Sequence, residues 1–554
     1  MSAAAGLRDT VTSEERRRLY EAEGFWDETS LPMRVRSLAE RRGGDPAVVD
    51  LAGARSTSYE ALERDSNRVA RFLLQAGVQA GDVVGVQLPN WYETVAVDLG
   101  VLKAGAIVNP MLTLYRAKEL RQMLSAGSAK VLFTPRSYRG FDHVALVEEI
   151  RPDLPSLLEH VAIEEPEPGS TGFLDLLAAY DDGELPKPRQ ASAVSELIFT
   201  SGTEAEPKAI MHTEQTTNYM ARATWDALGL GEHDVVWMPS PIGHSTGLNF
   251  GVRVALYHGL LLVLQDRWSK SDAARLVEEW RCSYTLAATT FLSDLVDEAA
   301  SCGRDLSSMR LFGSGGAPVP EQLVRAGEER GIGALRLYGS TELLIGTWNR
   351  AESPPAKRVA TDGIAFPNVE IDVRNEDGES VRNEPGEIFG RSPGACVGFF
   401  ADPERTSATF SPDGWIRSGD LGLLDDDGYL TIVGRRKEII IRGGLNIAPR
   451  EIEDLILREP EVAAVAVVGL ADERLGEITC ACIVLREGCE LHLPELVARL
   501  EAAGLATYKL PQALAFLDAL PATPTGKIKK HEIVAALDMQ TLETTGGVGA
   551  GAKR

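Results

Sequence analysis

From about residue 30 the chain alternates continuous apolar runs with segments of helical character. DVVGVQL (82–88) and AKVLFTP (129–135) read as buried strands, and WYETVAVDLGVLKAG (91–105) and DHVALVEEI (142–150) as the helices that follow them. The succession recurs in VVWMPS, LLLVLQD, the helix AARLVEEW, YTLAATT and the helix SDLVDEAA. Short apolar strands separated by amphipathic helices predict βα units and buried parallel sheets. After about residue 365 the texture changes. VEIDVRNEDGESV and LGLLDDDGYLTIVG place Asp377-Gly378 and Asp427-Gly428 between strand-like runs, the pattern of antiparallel hairpins. Beyond Gly434 come a helix at REIEDLILR, strands at VAAVAVVG and CACIVLR, a helix at LPELVARLEAAG and a lysine-rich end. The expected fold is α/β: an extension (1–28), then a large N-terminal α/β body with parallel sheets and a small β-rich subdomain (29–436). A small, mobile α+β C-terminal domain (437–538) and a disordered tail (539–554) complete it.

A chain of 554 residues exceeds one ordinary domain, and 44% hydrophobic with 25% charged residues suits a large soluble core. The net charge of -24 argues against nucleic acid or an anionic membrane as partner. Any phosphate substrate must therefore be gripped by local donors and metal. Six cysteines are scattered without a CxxC pair, and Cys480 and Cys482 would face the same way on one strand, a poor disulfide geometry. Thiols of this kind, an opening thirty residues without a signal-like apolar core, and no apolar run of spanning length together predict a cytoplasmic protein without membrane insertion.

Residues 198–213, IFTSGTEAEPKAIMHT, hold the first candidate chemistry. A Walker loop requires G-x-x-x-x-G-K-[ST] leading into a helix. Here no glycine precedes Lys208, and KAIMHT alternates like a strand, so the loop is expected to join two strands. Thr200, Ser201 and Thr203 offer hydroxyls, Gly202 a tight turn and Lys208 a cation. On these residues alone, a phosphate loop and a polar hairpin loop remain equally open.

Other segments decide between them. With LYGSTE (337–342), GWIRSGDLG (414–422), GRRKEIIIRGGLNIAPREIE (434–453) and PTGKIKK (524–530), the chain resembles the adenylate-forming superfamily over residues 30–535. That superfamily comprises acyl-CoA synthetases, peptide-synthetase adenylation domains and luciferases. SPIGHSTG (240–247), FTSGTE and ADERLGE (471–477) look most like short-chain acyl-CoA and cyclohexanecarboxylate–CoA ligases.

The resemblance implies ATP, Mg²⁺ and CoA as a co-substrate, acting in two half-reactions. A carboxylate first attacks the α-phosphate of ATP, giving acyl-AMP and pyrophosphate. A thiol then takes the acyl group. It implies phosphate contacts from Thr200, Ser201, Gly202, Thr203 and Lys208, and from Thr341, with Glu342 toward the metal. Gly315, Gly316, Ala317, Tyr338, Gly339 and Ser340 would line the nucleotide pocket, with Tyr338 stacked on adenine. Asp420 would hold both ribose hydroxyls, with Arg435 beside the sugar. Lys527 would stabilise charge between carboxylate and α-phosphate, and with Thr341, Glu342 and His244 it makes up the expected reacting centre. His244 is expected to act as a pocket wall or thiol-tunnel gate rather than as a base. Rotation of the C-terminal domain about Lys437 would bring Gly443, Gly444 and Asn446 to the site for CoA.

The match has departures. Alanines 205 and 209 stand where glycines are usual, which would cost about 1 kcal/mol or more if a positive φ were needed. Glu204 replaces a common threonine. No aspartate lies just before His244 to pair with a substrate ammonium, and residues 240–251 are small and mainly uncharged. The expected substrate is thus a short or medium, alicyclic or aromatic acid rather than an amino acid. Three alternatives stay open at this point: loading of a carrier-protein phosphopantetheine, a non-catalytic nucleotide-binding protein, and a P-loop phosphotransferase. The protein is expected to be a monomer or homodimer.

Overall fold

A computed structural model describes residues 11–165, 173, 177–183, 185, 189–200, 208–301, 303–472, 474–523, 527–537 and 542–544. The alternating pattern resolves into two largely parallel sheets. One has six strands, with Val83–Val86 between Ile107–Pro110 and Val131–Pro135. Its edge is an antiparallel hairpin of Val194–Thr200 with Lys208–Thr213. The other has nine strands, and its parallel centre runs through Leu311–Ser314, Tyr284–Ala287, Val235–Met238 and Leu261–Leu264. The helix Tyr92–Lys103 is buried at all twelve positions, its Glu93, Asp98 and Lys103 included.

Glu370–Arg374, Pro385–Arg391, Ile416–Leu424 and Leu430–Arg435 form a four-stranded antiparallel sheet. The hairpin expected at Asp427-Gly428 is present, with Gly428 at φ 84°. At Asp377-Gly378 the turn forms but its second arm is a single bridge, Arg374 to Ser380. Strand 370–374 pairs instead with 385–391, because a longer partner satisfies more of its backbone.

The C-terminal part is built on Val462–Asp472 paired antiparallel with Gly476–Leu485, with Pro449–Ile456 and Leu493–Ala502 as helices. Cys480 and Cys482 do lie on one side of their strand, Sγ to Sγ 3.9 Å, as free buried thiols. Residues 11–28 are packed into the body: Trp26 is buried and its Nε1 donates to the Pro393 carbonyl at 2.8 Å. The supposed tail contributes a buried Leu542 and a strand, Glu543–Thr544, on the edge at Ala513–Phe516.

One buried group is at odds with its surroundings. Asp98, inside the helix Tyr92–Lys103, has neither carboxyl oxygen hydrogen-bonded among the described residues. It lines a cavity of about 10 Å³ with Val95, Leu99 and Leu256. Burial pushes its carboxyl well above the ordinary range, reinforced by Glu196 and opposed by Arg253. A raised folded value means that stability is fully present below the unfolded value and is lost as pH rises toward the folded one. Asp98→Leu, similar in shape, is expected to stabilise the protein by about 1–3 kcal/mol at neutral pH. The gain should be smaller near pH 4.5, and thermal melts at the two pH values check both statements.

Candidate active site

The hairpin that carries the opening motif sets Lys208 opposite Thr200. Lys208 enters a strand and no helix, which removes the P-loop reading. Ala209 pairs with Phe199 and is absent from the positive-φ residues, so an alanine costs nothing there. Ser201, Gly202, Thr203, Glu204 and Ala205 lie outside the described residues.

From this hairpin His212 reaches across the body. Its Nε2 donates to the Thr341 carbonyl at 2.8 Å, and the Cys396 N–H donates to the Glu342 carbonyl at 2.7 Å. The turn between Ala334–Ser340 and Leu344–Trp348 is thereby fixed from both sides. Leu344 sits at φ 61°, a strained position for a leucine, held by its pairing with Ser340. The result is a rigid mount for Glu342, whose Oε1 lies 3.8 Å from Lys208 Nζ.

Asp420 lies within the strand Ile416–Leu424, directly opposite Arg435. Arg435 Nε is 3.0 Å from its Oδ1, and the Tyr338 hydroxyl donates to Oδ2 at 2.9 Å. Burial raises the Asp420 carboxyl, while Arg435 and the Tyr338 hydroxyl hold it down. A carboxylate has about four lone-pair directions, so both oxygens keep acceptor capacity for further hydroxyls. Gly313 and Ser314 end the strand Leu311–Ser314. The chain bends at Gly316 and Ala317, with Gly316 at φ 80°, and a Cβ at Gly315 would lie 2.5 Å from the Leu337 carbonyl oxygen.

Lys527 arrives from the C-terminal part, its N–H donating to Thr523 Oγ1 at 3.0 Å. Burial, then repulsion by Arg435, lowers its amine to about 8, against the pull of Asp420 and Glu438. Lys527, Asp420, Arg435, Tyr338, Gly339, Gly316 and Ala317 all border one cavity of about 150 Å³. Asp362, Glu438, Arg450 and Lys530 border it too; the last three lie inside the motifs quoted above without having been singled out, and Asp362 lies outside every one of them. Asp362 meets its partners Arg336 and Arg450 only through the fold.

His244 stands elsewhere, before the π-helix Thr246–Arg253. Its Nδ1 accepts from the Thr246 N–H at 3.2 Å, which leaves the proton on Nε2. Burial alone lowers it to about 4, so it is neutral at neutral pH and a weak base. Gly443 and Gly444 form the exposed turn of a hairpin, at φ 58° and 83°, conformations that by themselves require glycine.

The donor set fits a nucleotide and a hard cation. A carboxylate with spare acceptors, a half-buried lysine and a separate glutamate suit ribose, phosphoryl oxygen and magnesium respectively. Among the described residues no group of three or more His, Cys, Asp or Glu forms a metal cage. Magnesium would therefore rest on Glu342, water and phosphate oxygens, and would neutralise charge on the leaving phosphates.

Comparison with known proteins agrees with this geometry. A model of the AMP-binding enzyme family matches residues 35–400, and one of the AMP-binding enzyme C-terminal domain matches 451–527. The chain belongs to the AMP-binding enzyme family. A medium-chain fatty-acid–CoA ligase of Escherichia coli (strain K12) is 35% identical over 95% of this chain and 94% of its own length. An indoleacetate–CoA ligase of Aromatoleum aromaticum is 31% identical over 86% of this chain and 93% of its own. The solved structure of the anthranilate CoA ligase AuaEII with anthranoyl-AMP superposes with a TM-score of 0.84 at 25% identity, covering 92% of this chain and 97% of that one. The AMP-binding enzyme is thus an acid–thiol ligase. It converts a carboxylic acid and ATP to acyl-AMP and pyrophosphate, then makes the thioester with CoA, using Mg²⁺. CoA is favoured as acceptor over a carrier-protein phosphopantetheine. Among the described residues no helix is long and apolar enough to cross a membrane.

Proposed function

We propose that this ligase activates a medium-chain or compact ring-bearing acid, with Lys527 as the adenylation cation. The observation that carries the reading is the convergence of Lys527, Asp420, Arg435 and Tyr338 on one cavity. A carboxylate oxygen attacks the α-phosphorus and the bond to the pyrophosphate oxygen breaks. Lys527 spans the two reacting anions, Asp420 binds the ribose hydroxyls and Arg435 orients Asp420. Thr341 and the loop from Thr200 to Lys208 take the outer phosphates, and Glu342 the metal. In the second half-reaction the CoA sulfur attacks the acyl carbon, AMP leaves with the electrons of the carbon–oxygen bond, and the thiol proton goes to solvent. The body (29–436) and lid (437–538) rotate about Lys437 between the two, bringing Gly443, Gly444 and Asn446 to the thiol. His244 serves as a neutral wall.

The substrate class rests on the relatives that act on medium-chain and ring acids. It also rests on close packing around His244: a Cβ at Gly243 would meet the Met111 carbonyl oxygen at 2.3 Å, and one at Gly247 that of Pro241 at 2.2 Å. Buried free thiols fit a cytoplasmic setting. Mass spectrometry of products from ATP, Mg²⁺, CoA and an acid panel tests the substrate. Octanoate and cyclohexanecarboxylate or benzoate derivatives should give acyl-CoA and AMP; preference for long-chain or amino acids would overturn the substrate class.

Because Lys527 must be charged, kcat/KM for ATP in the exchange of pyrophosphate should fall above pH about 8. The decline should approach tenfold per pH unit, and Lys527→Arg should move it to higher pH whatever its absolute rate.

A further inference from the structure

Asp362 and Arg450 border the nucleotide cavity, yet the two half-reactions as written use neither. Asp362 lies in the body between Val359 and Ile364, with its side chain 4% exposed. Its Oδ1 is 2.9 Å from Arg336 Nη2, and its Oδ2 accepts the Ile432 N–H at 2.9 Å. Arg450 opens the lid helix Pro449–Ile456, is 12% exposed, and places Nη2 3.7 Å from the same Oδ1. The pair therefore joins lid to body beside Lys527.

We propose that Arg450 is a positioning residue: its contact with Asp362 seats the lid so that Lys527 enters the cavity for adenylation, and the contact is given up for thioester formation. This inference rests on the two-step ligase reading above. Three features support it. Losing Arg450 leaves no bare charge in the body, since Asp362 retains Arg336 and the Ile432 N–H. The departing guanidinium is likewise not stranded, since Arg450 Nε lies 3.8 Å from Asp454 Oδ2 on its own helix. Both ends thus tolerate making and breaking the contact, unlike the Arg336–Asp362 pair inside the body.

Third, the lid transmits the seating to Lys527. Lys530, three residues on, places Nζ 2.7 Å from Glu453 Oε1 and 3.4 Å from Glu438 Oε2. Glu453 is one helical turn from Arg450 and also accepts the Val467 N–H at 2.8 Å, on the lid strand Val462–Asp472. Lys527, Lys530, Glu453 and Arg450 consequently move as one block. Arg450 Nε has no hydrogen-bond partner among the described residues, so the guanidinium is held by charge and not by a full set of bonds, as a releasable contact requires.

The test separates the half-reactions in Arg450→Met, Arg450→Gln and Arg450→Lys, using octanoate or whichever panel acid the wild type converts fastest. Adenylation is read as ATP–pyrophosphate exchange, and thioester formation as single-turnover conversion of supplied octanoyl-adenylate, or that acid's adenylate, by CoA. The neutral variants should lose about tenfold in exchange, the size of one 1.4 kcal/mol contact. Thioester formation should be unchanged or faster, and Arg450→Lys should recover most of the exchange. Thermal melts identify a variant that fails to fold, and the other neutral variant then carries the comparison. Equal loss in both half-reactions, or undiminished exchange in the neutral variants, overturns the proposal. Failure of the ligase reading is distinct: the wild type itself would then form no acyl-adenylate from any acid.

Discussion

Lys527→Ala is expected to lower ATP–pyrophosphate exchange by about 10²–10³-fold while leaving CoA-dependent breakdown of supplied acyl-adenylate within a few-fold of wild type. The asymmetry follows from where the side chain stands. Lys527 reaches a cavity lined by Asp420 and Arg435, and its amine is lowered only to about 8, so it is mostly charged at neutral pH. A cation there stabilises charge that grows on the phosphoryl oxygens as the acid attacks, an interaction stronger in the transition state than before it. In thioester formation the thiol attacks the acyl carbon and charge builds first on the acyl oxygen, away from the phosphorus, and in the proposed two-step cycle the lid has by then carried Lys527 elsewhere. Rapid-quench measurement of each half-reaction reads the two rates separately. Equal losses in both would place the lysine in a structural role.

Asp420→Asn should cost about as much, by a different route. The carboxylate is buried beside Arg435, opposite it in register, and accepts from the Tyr338 hydroxyl. Replacing it with an amide removes one charged acceptor and sets an NH₂ group against a guanidinium. Two charge-assisted bonds to ribose are worth about 1.5–3 kcal/mol each, so kcat/KM for ATP should drop by about 10² or more. Deoxy-ATP analogues give the matching readout. Removing one ribose hydroxyl should penalise the wild type strongly and Asp420→Asn hardly at all, a double-mutant cycle across the contact. Penalties that add independently would separate Asp420 from the sugar.

Much of this was readable in the chain because the relevant signals are local. The strand at 83–86, the hairpin around Asp427-Gly428 and the strand at Lys208 each follow from a few consecutive residues. Lys527 and Asp420 stand inside motifs, so the resemblance located them without any knowledge of what they touch. The unread features are contacts between distant positions. Asp362 meets Arg450 across 88 positions, and His212 meets Thr341 across 129, with nothing in either neighbourhood to announce the pairing. The same limit explains the ends of the chain. Ser13, which caps a helix, and Trp26 look like any polar or aromatic residue until the body that receives them is folded. The worry over Ala209 dissolved for a related reason: whether alanine is costly depends on φ, which a strand partner decides.

The central claim is that the acid attacks the α-phosphorus of ATP and that AMP leaves with one of the acid's oxygens. Carboxylic acid labelled with ¹⁸O on both oxygens, turned over with ATP, Mg²⁺ and CoA, tests it most directly. Mass spectrometry should find one ¹⁸O in AMP, none in pyrophosphate, and one retained in the acyl-CoA. Unlabelled AMP, or ADP accompanied by labelled inorganic phosphate, would contradict it.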